Sequence, residues 1–145
     1  MTAGEYVPME EVRKVCAGLG IRDWAALTDA DVRPEEAEAI LGELRVQEMD
    51  IPLATFRQGL EVELEHGTRF PDANVTNNHP LLTGKIVLAH LKESLDYYAR
   101  LEVAEIEGDL LKAAVAGNAA KLLALYRKLL AARRVVCQAE RDQLQ

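Results

Sequence analysis

The chain predicts an all-α fold, and three observations carry that reading. Apolar residues recur every three or four positions, no stretch alternates polar and apolar as a strand would, and proline, glycine and Asx residues punctuate the periodic segments. The expected architecture is a compact bundle of five to six helices with a long central helix and an N-terminal helical cap. One domain spans 1–145: a helical cap over 1–49, a helix pair over 50–107, and basic C-terminal helices over 108–145.

The first helix is expected over 8–19, with Val12, Val15, Cys16 and Leu19 on one stripe, Pro8 in the first turn and Gly20 as the stop. A short turn follows at 23–27, capped by Asp23 and anchored by Trp24. Pro34, Glu35 and Glu36 then open a helix, since the positive end of its dipole favours acids. Ile40, Leu41 and Leu44 form its buried face. A helix starting around 50–52 carries Leu53, Phe56, Leu60 and Leu64 and is expected to reach His66, with Gly67 stopping it. The connection over 67–79 is long for a helical hairpin; it is expected either to have a role of its own or to cap the next helix with its Asn and Thr side chains. Pro80 opens a long helix expected to run to 107 and end at Gly108, with Gly84 inside it marking a close helix contact. A short helix to 116, a stop at Gly117-Asn118 and a last helix over 119–143 complete the chain. The last helix has a stripe of Leu122, Leu125, Leu129, Ala132 and Val136 suited to a helix–helix seam, within the chain or across a dimer.

Composition narrows the function classes. No stretch approaches the ~20 apolar residues of a membrane span. Met1, Thr2, Ala3, Gly4 and Glu5 lack the basic-then-apolar layout of a secretory leader. Cys16 and Cys137 are far apart in sequence and read as separate reduced thiols, so the expectation is a soluble, cytoplasmic protein. Net charge is −7, but it is unevenly spread. Residues 1–66 hold fifteen acids against six bases, and residues 108–145 hold three acids against seven bases. The overall acidity disfavours nucleic acid, whose phosphates need a positive footprint. The basic tail suits an acidic protein partner or a second protomer.

The chemistry-bearing residues cluster on the central helix pair. On a continuous helix over 80–107, His90, Glu93 and Tyr97 fall on the stripe of Leu82, Ile86, Ala89, Leu101 and Ala104, where a carboxylate must be paired, protonated or metal-bound. Glu63 and His66 sit three apart on the preceding helix, so both face one side. With the two helices antiparallel, His66 comes level with His90 and Glu63 with Glu93. Two imidazoles and two carboxylates form a plausible shell for zinc, manganese or iron. The competing reading is a polar network without chemistry, its acids neutralised by Lys85 or Arg57. A dinuclear centre would need recruits such as Glu61, Asp96 or a second protomer. His79, beside Pro80, reads as a helix cap rather than a ligand. No phosphate loop, nucleophile elbow or HExxH motif is present, and no organic cofactor is expected.

Phe56-Arg57-Gln58-Gly59-Leu60-Glu61-Val62-Glu63-Leu64-Glu65-His66-Gly67 resembles the opening of a small family of uncharacterised bacterial and phage proteins. So do Asn74-Val75-Thr76-Asn77 with Pro80-Leu81-Leu82-Thr83-Gly84-Lys85-Ile86, then His90-Leu91-Lys92-Glu93, Tyr97-Tyr98 and Leu101. The resemblance covers roughly residues 50–105, with a looser match around Leu19-Gly20-Ile21 and Trp24, and leaves out the basic tail. It carries no activity. It implies that Glu63, Glu65, His66, Lys85, His90, Glu93 and Tyr97 belong to a recurring pattern, and that His79 stands where an acid is usual.

The resulting expectation is a small metal-binding protein with Glu63, His66, His90 and Glu93 as ligands and Tyr97, Lys85 and Glu65 around them, whether or not it is an enzyme. The alternative is a non-catalytic interaction module. Its C-terminal helix, with Lys121, Arg127, Lys128, Arg133 and Arg134, would dock on an acidic partner or form a homodimer.

Overall fold

A computed structural model describes residues 7–145; Met1–Glu5, read above for a leader, lie outside the described residues. These residues form six α-helices and two short 3-10 turns, with no strand among them. They divide into two compact units, residues 7–93 and 94–145.

The first unit contains α1 (Met9–Leu19), α2 (Pro34–Leu44), α3 (Leu53–Arg69) and α4 (Pro80–Glu93). Its core is apolar and well sealed: Val12, Trp24, Val32, Ala37, Ile40, Phe56, Leu60, Leu64, Val87 and Leu91 are all buried. Gly20 ends α1 with φ +69°, a left-handed turn that glycine adopts without strain. Gly84 lets α4 approach α2, because a Cβ there would lie 2.8 Å from Leu44 Cδ1 and 2.9 Å from Ile40 Cγ2. The entry to α2 is tied by a buried carboxylate. Glu36 accepts hydrogen bonds from Arg22 Nε and Nη2, Arg33 N and Trp24 Nε1. Burial would push its pKa up, but the Arg22 guanidinium and the backbone donors outweigh this and hold it at about 2. Cys16 is buried and Cys137 exposed, both free thiols. Burial pushes the Cys16 thiol pKa up.

The second unit is a hairpin of α5 (Tyr97–Val115) and α6 (Ala119–Leu144). Ion pairing of Arg100 with Glu140, and a hydrogen bond from Gln143 to Asp96, join the start of α5 to the end of α6, so the helices run antiparallel. Ile106, Ala113, Leu125 and Leu129 form its small core, with Val103, Leu110, Leu122 and Ala132 packed around them. The leucine seam read from sequence faces α5.

Three boundaries differ from expectation. The long helix over 80–107 is broken at 94–96. There the Ser94 hydroxyl donates to the Asp96 carboxylate, and Ser94 O accepts from Tyr97 N in a tight turn. Asp96 is buried, and hydrogen bonds from Arg100, Ser94 and Gln143 hold its pKa at about 2. Gly108 does not stop α5; the stop comes at Gly117, with φ +67°. Gly67 lies inside α3, which continues to Arg69. A Cβ at Gly67 would lie 2.5 Å from Asn78 Oδ1 and 2.8 Å from Asn74 Nδ2, so glycine is there to let the following loop close onto the helix.

Candidate functional site

The odd polar residues of the first unit gather around Glu63. The apolar stripe of α3 buries Phe56, Leu60 and Leu64, which carries Glu63 to the edge of the core, with 15 % of its side chain exposed. His66, one turn on, brings Nδ1 to 3.9 Å of Glu63 Oε2. His90 on α4 brings Nε2 to 3.5 Å of Glu63 Oε1. One carboxylate therefore stands between two rings, each facing a different oxygen.

The register differs from the pairing expected of antiparallel helices, because His90 meets Glu63 rather than coming level with His66. Glu93 consequently falls one turn beyond the cluster and is exposed on the last turn of α4. Tyr97 belongs to the second unit, where it packs edge-on against Tyr98 with ring centroids 5.0 Å apart. The stripe expected from Leu82 to Ala104 is not a core face: Ile86 and Ala89 are exposed, and α4 buries Val87 and Leu91 instead. Lys85 is exposed on α4, and Glu65 pairs with Arg69 at 2.8 Å on the surface. Arg57, considered as a counter-charge, is engaged elsewhere: it donates to Val32 O and pairs with Glu61 at 3.4 Å. Glu61 and Asp96 are thus committed to other partners, Glu61 also accepting from Val32 N.

A cleft of about 130 Å³ opens beside the cluster. Glu63, His66 and Gly67 of α3 form one wall, Thr83 and Ile86 of α4 another, and Asn74, Thr76 and Asn78 of the connecting loop the third. The loop's side chains do not cap α4 as anticipated. Asn74 Nδ2 donates to Gly67 O and Asn78 Oδ1, and Asn78 Nδ2 donates to Trp24 O. Asn77 and Asn78 both adopt positive φ, which Asn tolerates better than most residues. His79 is the cap: its Nδ1 accepts from Leu82 N at 3.3 Å. Burial pushes the His79 pKa down, which keeps the ring in the neutral form that can accept. The unusual length of the 67–79 connection pointed to this wall, but it did not reveal which side chains line the cleft.

The chemical capacity of the cluster lies in one carboxylate and two imidazoles beside a polar opening. Because the rings bracket the carboxylate instead of converging with it, the cluster is not a preformed shell. Among the described residues no group of three or more His, Cys, Asp or Glu side chains is arranged to hold a metal ion. A family model described as a protein of unknown function, DUF5661, matches residues 12–107, more than half of the chain. The chain belongs to this family. No curated protein and no solved structure matches it. The DUF5661 match takes in the whole Glu63 cluster and the cleft, and it ends inside α5. No helix among the described residues is long and apolar enough to cross a membrane.

Proposed function

We propose that this DUF5661 protein binds a divalent metal ion through Glu63, His66 and His90, at the mouth of the cleft between α3, α4 and the 70–79 loop. The observation that carries the reading is the bracketing of one largely covered carboxylate by two imidazole nitrogens, at 3.5 and 3.9 Å. Neighbouring donors around a tetrahedral ion with ~2.1 Å bonds lie about 3.4 Å apart. Each imidazole–carboxylate spacing is thus near that value, and bringing the two rings together on one ion requires His66 to turn. His66 is 64 % exposed, so its ring can turn at rotamer cost alone. Three protein donors leave a position for water on the cleft side, where Asn74, Thr76 and Asn78 supply polar contacts. Nitrogen and carboxylate donors without thiolate suit zinc, manganese or iron(II). Glu93 is not among the ligands in this reading.

Calorimetric titration of the chelator-stripped protein with zinc, manganese and iron(II) tests it. One equivalent should bind with at least one of these ions, and His66→Ala, His90→Ala and Glu63→Gln should each weaken that binding tenfold or more. A purely structural polar cluster would give the opposite pattern. It predicts no uptake by a folded protein at 100-fold metal excess, and only graded destabilisation across the three variants.

A further inference from the structure

The α5–α6 hairpin leaves much of its apolar surface uncovered. On α6, the stripe facing α5 (Leu122, Leu125, Leu129, Val136) is accompanied by a second one, Leu123, Tyr126, Leu130 and Cys137. Leu123, Tyr126 and Leu130 are each more than half exposed. On α5, Leu111 and Val115 are 68 % and 82 % exposed. They share a face with Ala104 and Gly108, since these four positions recur every three or four residues. At ~100° per residue, the outer set lies about 100° from the inner one on α6 and about 150° on α5. Because the helices are antiparallel, both outer sets turn to the same side of the hairpin. The groove on that side, about 410 Å³, is lined by Arg100 and Val103 of α5 and by Arg133 and Cys137 of α6, among others. A helix apolar on two sides is normally sandwiched between neighbours.

The charges indicate what covers this side. Helix α5 carries four acids (Glu102, Glu105, Glu107, Asp109) against two bases, while α6 carries six bases against two acids. The two bases of α5 are already engaged, Arg100 with Asp96 and Glu140, and Lys112 with Asp109. Packing α6 on another α6 would bring Arg127, Arg133, Arg134 and Arg141 of one chain against the basic face of the other. Packing α6 on the acidic α5 of a second chain removes that repulsion, and two-fold symmetry makes the same contact twice. The size also fits. A 26-residue helix is about 39 Å long, and a face two helices wide is then on the order of 600–800 Å², close to one side of a standard interface.

We infer that the hairpin pairs with the hairpin of a second copy of this chain, α6 of each lying on α5 of the other, to close a four-helix bundle. Sedimentation equilibrium of the full chain should give twice the 16.1 kDa chain mass. Leu130→Glu should raise the dissociation constant at least tenfold with the helical circular dichroism unchanged, and Leu123→Lys should do the same if Leu130→Glu perturbs folding. Reversing charge on α6 (Arg127→Glu with Arg134→Glu) or on α5 (Glu105→Lys with Glu107→Lys) should weaken each homodimer. Mixing the two reversed proteins should restore a two-chain complex. A one-chain mass at about 100 μM, a larger open series, or reversed proteins that fail to combine would each overturn the proposal. The last result would mean that α6 covers some other surface, such as the acidic first unit or a foreign protein.

Discussion

Glu36 and Glu63 are both carboxylates on helices of the first unit, yet they meet opposite surroundings. Glu36 is 2 % exposed and takes donors from Arg22, Arg33 and Trp24, a fully answered set. Its depressed pKa ties stability to pH. The carboxylate binds a proton less readily in the folded state, so its contribution is complete above the ordinary value near 4.5 and is lost as pH falls toward about 2. The amount is on the order of 3 kcal/mol. An acid titration followed by circular dichroism should therefore show a loss of stability between those limits that Glu36→Gln largely removes. Arg22→Ala should cost about 3–5 kcal/mol at neutral pH, because it strands a buried charge. His79 acts earlier on the pH scale with the same sign. Its pKa is lowered by burial, so the stability it contributes is present above about 6.5 and declines as pH falls through the lowered value. Glu63 is 15 % exposed and stands beside the His66 and His90 imidazoles at the edge of a polar cleft.

At the scale of the element, three helical glycines act in three ways. Gly84 sits where α4 touches Ile40 and Leu44 of α2, so Gly84→Ala should destabilise by about 1–3 kcal/mol through overpacking. Gly108 has open space around it within one chain, so Gly108→Ala should stabilise the dissociated single chain by roughly 0.5–1 kcal/mol through helix propensity. Urea denaturation of the two variants checks both signs at once. Gly67 belongs to neither class, since it is the floor on which Asn74 and Asn78 rest their amides. The periodic pattern located the helical segments but joined α4 to the first half of α5, because burial of one face needs only the i, i+3, i+4 repeat, a local property. It failed at the ends. The break at 94–96 rests on a buried Asp96 whose partners include Gln143, 47 residues away, and nothing within 80–107 announces that contact. Gly67 and Gly108 were read as stops because glycine often ends helices, but only the neighbours of each show why it is tolerated inside one.

Across the whole molecule, the two units differ in self-sufficiency. The first has a sealed core built from four helices and the loop that closes over α3. The second has five buried apolar residues (Tyr98, Ile106, Ala113, Leu125 and Leu129) for 52 residues of chain, and several large apolar side chains exposed. Amide hydrogen exchange should follow this contrast. Protection should be greatest in α3 and α4, lower in α5 and α6, and in the hairpin it should rise with protein concentration if a second copy covers it. Concentration-independent protection of α6 would weigh against that docking.

By itself the sequence determined the all-α class, the buried stripes of α1 and α3 and the caps at Asp23, Gly20 and His79, because each depends on residues within one or two turns. It also singled out Glu63, His66 and His90 as polar residues set on or beside apolar stripes. The tertiary structure alone decided which of the marked residues meet. It set the register that brings His90 to Glu63 and leaves Glu93 in solvent, and the turn that assigns Tyr97 to another unit. It also set the loop packing that makes Asn74 and Asn78 the wall of a cleft. Helix periodicity repeats every turn and is the same at every register, so the relative slide of two helices is chosen by the packing of the whole core.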